Sequence, residues 1–492
     1  MRMRQQADPV PTAPGAVPVA GHAWRMLRQP LSFATSLAGQ GDIVRLRLGN
    51  VPVHALTHPA HVHRLLVTDA RMVERGRFFE KFTGQGLFSF SGAAHRQQRR
   101  ALQPAFHHAR VAGCAQAMAP VADALTASWP AGRVVRVDRA VDELTHTMLL
   151  TALFPADFLT AGADDIRRAV PVLSRGLLAR ILLPDWCFAL PGSGRRYDRV
   201  ADTVRSVVDR AISRWDGDAT GDDLLSTLLR LRRLGSLTDE LVRDHTISFA
   251  VAGVETTAPA LAWLLHELGE DQRTQDLVRA EVLDVLGGRD SLAYEDLAAL
   301  RLTGRCVSEV LRLYAPWFGM RRTCGPLTFG TLTLPAGAEV SYSPYALHHD
   351  PRWFPDPERF DPDRWLPARA ARVPQGAFLP FGLGAYKCVG DTLAVALIKV
   401  AVCAVLRRWR LRPAPGSRVR KQAWIAVRPD RLPMVVEGWK RRPGLTTGPG
   451  PATMAPGLLR QAGTARGDRR EETATRRDVD GAPGAASGTG VR

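Results

Sequence analysis

The sequence predicts a mainly α fold, a helical body around one long central helix with small β-sheets, and three observations carry that expectation. Helical periodicity dominates: in "ADTVRSVVDRAISRWDGD" and "LLHELGEDQRTQDLVRAEVLDVLGG" apolar residues return every three or four positions. One stretch, "LVRDHTISFAVAGVETTAPALAWLLHELGED", keeps a helical pattern far longer than its neighbours. Strand-like alternation is confined to three short pieces, "DIVRLRLGNVPVHAL", "LTFGTLTLPAGAEVSYS" and "QAWIAVRP".

Taken in chain order, residues 1–13 are rich in proline and alanine and are expected to be flexible. The N-terminal stretch contains neither the apolar run of a signal peptide nor the ~20 apolar residues of a membrane span. A protein without a transmembrane anchor, working in the cytoplasm, is therefore expected. Residues 14–442 contain no linker-like break or repeat and read as a single domain. Residues 443–492 are Gly, Ala, Thr and Arg with almost no large apolar side chains, and such a segment cannot offset its own ordering entropy; a disordered tail is expected.

The formal net charge is +18, of which nine arginines and five acids from Arg441 onward account for +4. The rest is spread along the body in pairs such as Arg99-Arg100 and Arg407-Arg408. No aromatic-interleaved basic run accompanies it, so a solvated surface is favoured over nucleic-acid binding, and a basic patch for an acidic protein partner stays open. The six cysteines (Cys114, Cys187, Cys306, Cys324, Cys388, Cys403) show no CxxC pair and no short even spacing, which argues against a disulfide framework or a zinc ribbon. In "HPAHVH", Pro59 interrupts His58, His61 and His63, and no fourth ligand lies nearby.

The long helix has N-cap candidates in Ser236 and Thr238, followed by the acids Asp239 and Glu240. From Ile247 to Val254 it is apolar on nearly every face, so it should run through the interior. Glu255, Thr256 and Thr257 follow at once, and Pro259 lacks the amide that would bond back to the Glu255 carbonyl. A buried helix is thus opened beside a carboxylate and a hydroxyl. Taken alone, this patch reads first as a kinked core helix with threonines bonded to their own backbone, and only its company reverses that order.

In "PFGLGAYKCVGDTLAVALIKVAVCAVLRRW", a glycine-broken loop turns into an apolar helix at Cys388. A sulfur at a helix N-terminus meets unpaired amides and the positive end of the macrodipole, which favour thiolate, a nucleophile or metal ligand. Gly382, Gly384 and Gly390 let backbone approach something flat, and Phe381 can shield the sulfur. The loop lacks the third glycine of a dinucleotide fingerprint and the Lys-Ser/Thr of a P-loop.

Phe-Gly-x-Gly-x-x-x-Cys-x-Gly, from Phe381 to Gly390, resembles the cytochrome P450 haem-thiolate monooxygenases, with Cys388 at the axial iron ligand. Three more motifs follow that family's order: "GAAHRQQRRALQPAF", "AGVETT" (Ala252 to Thr257), and "EVLR" (Glu309 to Arg312) with "FPDPERFDPDRW". The resemblance implies a cytochrome P450 fold, haem b (iron protoporphyrin IX) and O2-dependent oxidation. It gives Cys388 as iron ligand and Phe381, Gly384 and Gly390 against the haem, with His95, Arg99, Arg322 and Tyr386 at its propionates. Glu309, Arg312 and Arg359 become a structural ion cluster, and Thr256 with Glu255 the proton-delivering pair. At Tyr386 the family usually has His or Arg; a phenol brings no charge at neutral pH, unless Lys387 compensates. Leu397 likewise stands where many relatives have Glu.

The same resemblance implies electrons derived from NAD(P)H and delivered by a separate ferredoxin and ferredoxin reductase. Arg96, Arg100, Lys387, Lys399 and Arg407 are candidates for the docking face. Phe249, Ala252, Gly253, Trp317, Phe318, Met320, Trp424, Ile425 and the loop "RFFEKFTGQGLFSF" would line a pocket for a hydrophobic small molecule. The segments "PGAVPVAGHAWRMLRQPLSF" and "HRQQRRALQPAF" look most like bacterial terpene oxidases such as pentalenene oxygenase, so a sesquiterpene or other secondary metabolite is the expected substrate. A fatty acid or polyketide substrate, or a non-catalytic haem-thiolate sensor, are the alternatives; the acid–threonine pair argues against the sensor.

Overall fold

The computed structural model describes residues 10–76, 86–155, 162–183, 186–189, 194–214 and 221–439. The expected tail, 443–492, and residues 77–85 of the proposed pocket loop lie outside them. Pro11 to Ala13, expected to be flexible, are instead bonded to the first strand: Arg45 N donates to the Pro11 carbonyl at 2.7 Å and Ala13 N to the Arg45 carbonyl at 3.0 Å.

The central helix runs Asp239–Glu270. Thr238 caps it, its hydroxyl accepting from Leu241 N at 3.3 Å. It is long and apolar enough to cross a membrane, but 72% of its most apolar window is buried inside the body. It is a core helix, packed against Val137–Leu153, Ala163–Leu182, Arg195–Arg214, Arg301–Leu313 and Asp391–Arg408. The helix Asp391–Arg408 packs in turn on His108–Ala127.

The sheets are small. The largest has five strands, in the order Ile43–Leu48, Val51–Leu56, Glu339–Tyr342, Gly319–Thr323, Val73–Arg75. A three-stranded sheet joins Arg133–Arg136, Pro433–Gly438 and Trp409–Pro413, and two hairpins complete the set among the described residues. The three strand-like stretches of the sequence supply strands to the five-stranded sheet and both hairpins.

One buried ion cluster connects the helices to the cysteine loop. Glu309 and Arg312, both wholly inaccessible, pair through Nε and Nη2 at 3.0 and 2.8 Å. Glu309 also accepts from Trp365 Nε1 at 2.9 Å, the Asp361 amide at 3.2 Å and Arg364 Nε at 3.3 Å. The second fork is therefore Arg364, and the expected Arg359 is corrected: its side chain is exposed, and only its carbonyl takes part, accepting from Arg312 Nη2 at 3.2 Å. The chain turns between the two arginines, and the turn after Asp361 brings Arg364 inward. His348 extends the cluster, its Nδ1 donating to the Arg312 carbonyl and its Nε2 accepting from Leu379 N. Burial holds this imidazole well below its ordinary pKa, which keeps it neutral in that tautomer. Leu379 then begins the turn into Phe381 and Cys388.

A buried carboxylate stripped of its cation costs far more than a surface pair, about 3–5 kcal/mol. Arg312→Ala should reach that range in denaturant unfolding, and Arg364→Ala should destabilise by about 1–3 kcal/mol. Arg359→Ala should leave the midpoint nearly unchanged.

Candidate active site

The cysteine loop is a tight reversal. Cys388 N donates to the Phe381 carbonyl at 2.8 Å, Gly382 N to Leu379 at 3.0 Å and Lys387 N to Gly384 at 3.1 Å. Gly382 and Gly384 have φ of +70° and +66°, which only glycine adopts freely, and a Cβ on Gly384 would lie 1.8 Å from the Leu66 carbonyl oxygen. Gly390 N-caps the helix Asp391–Arg408 and lies against the Phe106 ring. Desolvation by the protein packed around Cys388 raises its thiol pKa, outweighing the helix-end effect expected from sequence, and the Gly390 amide offsets only part of it. A thiolate here needs a metal, since a coordinating thiol is deprotonated by the ion's own charge.

Beside the loop lies a group of cations. Arg75 and Arg321 are direct cross-strand partners, on one face of the sheet. Their guanidinium carbons sit 5.0 and 4.7 Å from the centre of the Tyr386 ring. His95 packs on the same ring at 4.4 Å, and the Tyr386 hydroxyl accepts from Gly92 N at 3.2 Å. Arg99 donates through Nη1 to the Lys387 carbonyl. Burial and then the neighbouring arginines, Arg75 first, hold His95 down at about 3, so it is neutral. Burial and Arg321 lower Arg75 to about 9.

Arg322 is corrected. Strand alternation turns it to the opposite face, where it pairs with Glu339 at 2.9 Å and Glu74 at 3.7 Å, and its expected place falls to Arg321. Lys387 does not make up for Tyr386 either, because it pairs with Asp391 at 2.6 Å. Arg75, which no motif in the sequence marks, brings the charge that Tyr386 lacks. Like charges directly opposite on a sheet repel, and Arg321 Nε is buried without a hydrogen-bond partner. Two carboxylates on one flat group would satisfy both conditions, so these residues fit the propionates of a haem.

On the central helix, Thr256 is exposed although the residues on both sides of it are buried. Its hydroxyl donates to the Ala252 carbonyl at 3.0 Å. Glu255 points elsewhere: it is 2% exposed, Arg428 Nη1 lies 3.9 Å from its Oε2, and neither oxygen makes a hydrogen bond. Burial lifts its pKa to about 7, against the pull of Arg428, so it holds and releases a proton near neutrality.

The expected pocket wall divides. Ala252 and Trp424 are partly accessible. Gly253 is partly accessible too, and on its other side it lets helix Val137–Leu153 come close, since a Cβ there would lie 2.5 Å from the Leu149 side chain. Phe249, Trp317 and Met320 are buried, Phe249 against Phe106 at 5.1 Å and Trp317 donating to the Trp424 carbonyl at 2.5 Å. Trp317 and Phe318 line a separate apolar cavity with Phe33 and Leu37.

Residues 11–432 match the cytochrome P450 family. The chain belongs to that family. As a cytochrome P450 it is a haem-dependent monooxygenase, using O2 and electrons from redox partners. Cyclooctat-9-en-7-ol 5-monooxygenase of Streptomyces melanosporofaciens is 40% identical over 87% of this chain and 95% of its own. Cyclooctatin synthase of the same organism is 38% identical over 86% and 95%. Pentalenene oxygenase of Streptomyces avermitilis is 33% identical over 87% and 98%.

The P450's cation face gives a contrast between adjacent residues. Arg321→Ala should speed haem loss to an excess of scavenger protein about tenfold or more, the worth of a hydrogen bond to a charged group. Arg322→Ala should leave that rate near wild type.

Proposed function

We propose that this P450 oxygenates a cyclic terpene or terpene alcohol, with Cys388 as the residue that would ligate the haem iron and Thr256 and Glu255 as the proton-delivering pair. The observation that carries the substrate class is the set of relatives named for cyclooctat-9-en-7-ol, cyclooctatin and pentalenene, each aligned over nearly its whole length. A hydrophobic guest suits the partly accessible Ala252 and Trp424, with Thr256 offering an exposed hydroxyl on the central helix.

Bound haem supplies reduction of O2 and insertion of one oxygen atom into a C–H bond of the substrate. The protein's own tasks are ligation, charge and protons. Cys388 would hold the metal from its hydrogen-bonded loop, while Arg75, Arg321, Arg99, neutral His95 and Tyr386 would take the carboxylates. Thr256, whose hydroxyl donates to the Ala252 carbonyl, would present that hydroxyl toward a bound haem, and Glu255, which titrates near neutrality, would resupply its proton.

NAD(P)H-derived electrons arrive through a separate ferredoxin and its reductase, in the cytoplasm. The docking face rests on the exposed Arg96 and Arg100, since Lys387 is paired with Asp391 at 2.6 Å. Arg407 is engaged by Asp123 at 2.7 Å, and Lys399 donates to the Leu297 carbonyl at 2.6 Å. Carrier binding should weaken steeply as ionic strength rises; insensitivity to salt would remove this face.

A cyclic terpene alcohol should shift the spin state of the purified holoenzyme on binding and be converted to an oxygenated product, and a fatty acid should do neither. Thr256→Ala should keep that shift while diverting most reducing equivalents to peroxide, read as product formed per NAD(P)H consumed. Unchanged coupling would take Thr256 out of the proton path.

A further inference from the structure

Glu255 has no direct access to bulk water, yet an acid that gives up a proton each turnover must be recharged. The surroundings offer one arrangement for this. Arg428, on the strand Val427–Pro429, sets Nη1 3.9 Å from Glu255 and donates through Nη2 to both oxygens of Asp142, at 3.2 and 3.1 Å. Its guanidinium lies over Trp424, 4.5 Å from the ring centre, and Arg175 lies 4.0 Å from the same ring. Two carboxylates thus share one guanidinium, and they differ in access: the Asp142 side chain keeps 32% exposure and that of Glu255 2%.

We propose that Asp142 and Arg428 form the solvent-side half of the proton route that ends at Thr256, with Arg428 the positioning residue that holds both carboxylates at one cation. This rests on the reading of Glu255 as the proton source for Thr256. The route moves one proton in and one out. A proton from bulk water neutralises Asp142, which loosens its hold on Arg428. The proton then passes to the Glu255 carboxylate, restoring charge on Asp142, and leaves Glu255 toward the Thr256 hydroxyl. Arg428 stays charged throughout and only exchanges partners.

The groups facing Glu255 come from three elements. The helix Ala163–Leu182 presents Ser174 and Arg175, the strand presents Arg428, and the helix Val137–Leu153 presents Asp142, which itself feels Asp138 and Arg167. The Ala426 backbone closes the cluster. Arg428 lowers the proton affinity of Glu255 and Asp142 raises it, so substitutions at the two positions have opposite signs.

The test is an infrared-detected titration of Glu255 in the holoenzyme, taken as the difference from Glu255→Gln. Arg428→Met should move the Glu255 midpoint upward by about one pH unit or more, as expected on losing a cation within 4–6 Å. Asp142→Asn should move it downward, because a like charge is lost and Arg428 is freed for Glu255. The asparagine is isosteric and carries the test alone if Arg428→Met does not fold. A midpoint unmoved by Asp142→Asn, or moved in the same direction by both substitutions, overturns the proposal. The pH profile of coupled product formation in Asp142→Asn separates the two claims. If the midpoint shifts and the profile does not follow, Glu255 is not the proton source, and the route falls with that reading while the charge cluster stands.

Discussion

Glu309 is a carboxylate buried at zero exposure, and at that depth it is tolerated only because donors meet both oxygens. Arg312, Arg364, Trp365 and the Asp361 amide supply them. The consequence for the cysteine loop is mechanical. Arg312 clamps the carbonyls of His348, Pro357 and Arg359, and His348 passes the constraint to Leu379, from which the loop departs. The thiol is thus placed by a helix some 76 positions earlier in the chain than Cys388 itself, Arg312 being its last anchor. Precision comes from bond count: each group in the relay is neutralised or satisfied, so no side chain gains by moving.

The loop's other neighbour is organised on the opposite principle. Around Tyr386, positive charge is concentrated: Arg75 opposes Arg321 across two strands, and His95 is driven neutral beside them. Such an arrangement stores repulsion that a flat dianion discharges, which couples cofactor capture to local stability. A carboxylate matched by donors on the Glu309 side and a concentration of cations on the Tyr386 side together distinguish a scaffold from a binding surface. The fold of this P450 brings both to the loop that carries Cys388.

Much of this was legible in the sequence because it was written in spacing. The long apolar run forecast the central helix, and Thr238 its cap. Glu309 and Arg312, three apart on one helix, had to share a face. Other assignments failed where a single step decides geometry. Arg321 and Arg322 are adjacent, and only strand parity, fixed by pairing with Glu339–Tyr342, tells which one turns inward. Arg359 and Arg364 lie on one irregular turn with no period to read. Arg75, Asp142 and Arg428 were invisible because each acts through a partner far away in sequence, and nothing local to them announces a buried charge. Strand alternation applied to "GMRRT" puts Arg321 and Arg322 on opposite faces but does not say which face meets the cysteine loop.

Sulfur ligation by Cys388 is the bond on which every other role depends, and the most direct measurement is the absorption spectrum of the reduced, carbon monoxide-bound holoenzyme beside that of Cys388→Ser. The wild type should show the red-shifted Soret band of a thiolate-ligated haem, and the serine variant, folded by circular dichroism, should lack it altogether. Persistence of that band in Cys388→Ser would mean that another residue holds the iron and would contradict the assignment of Cys388.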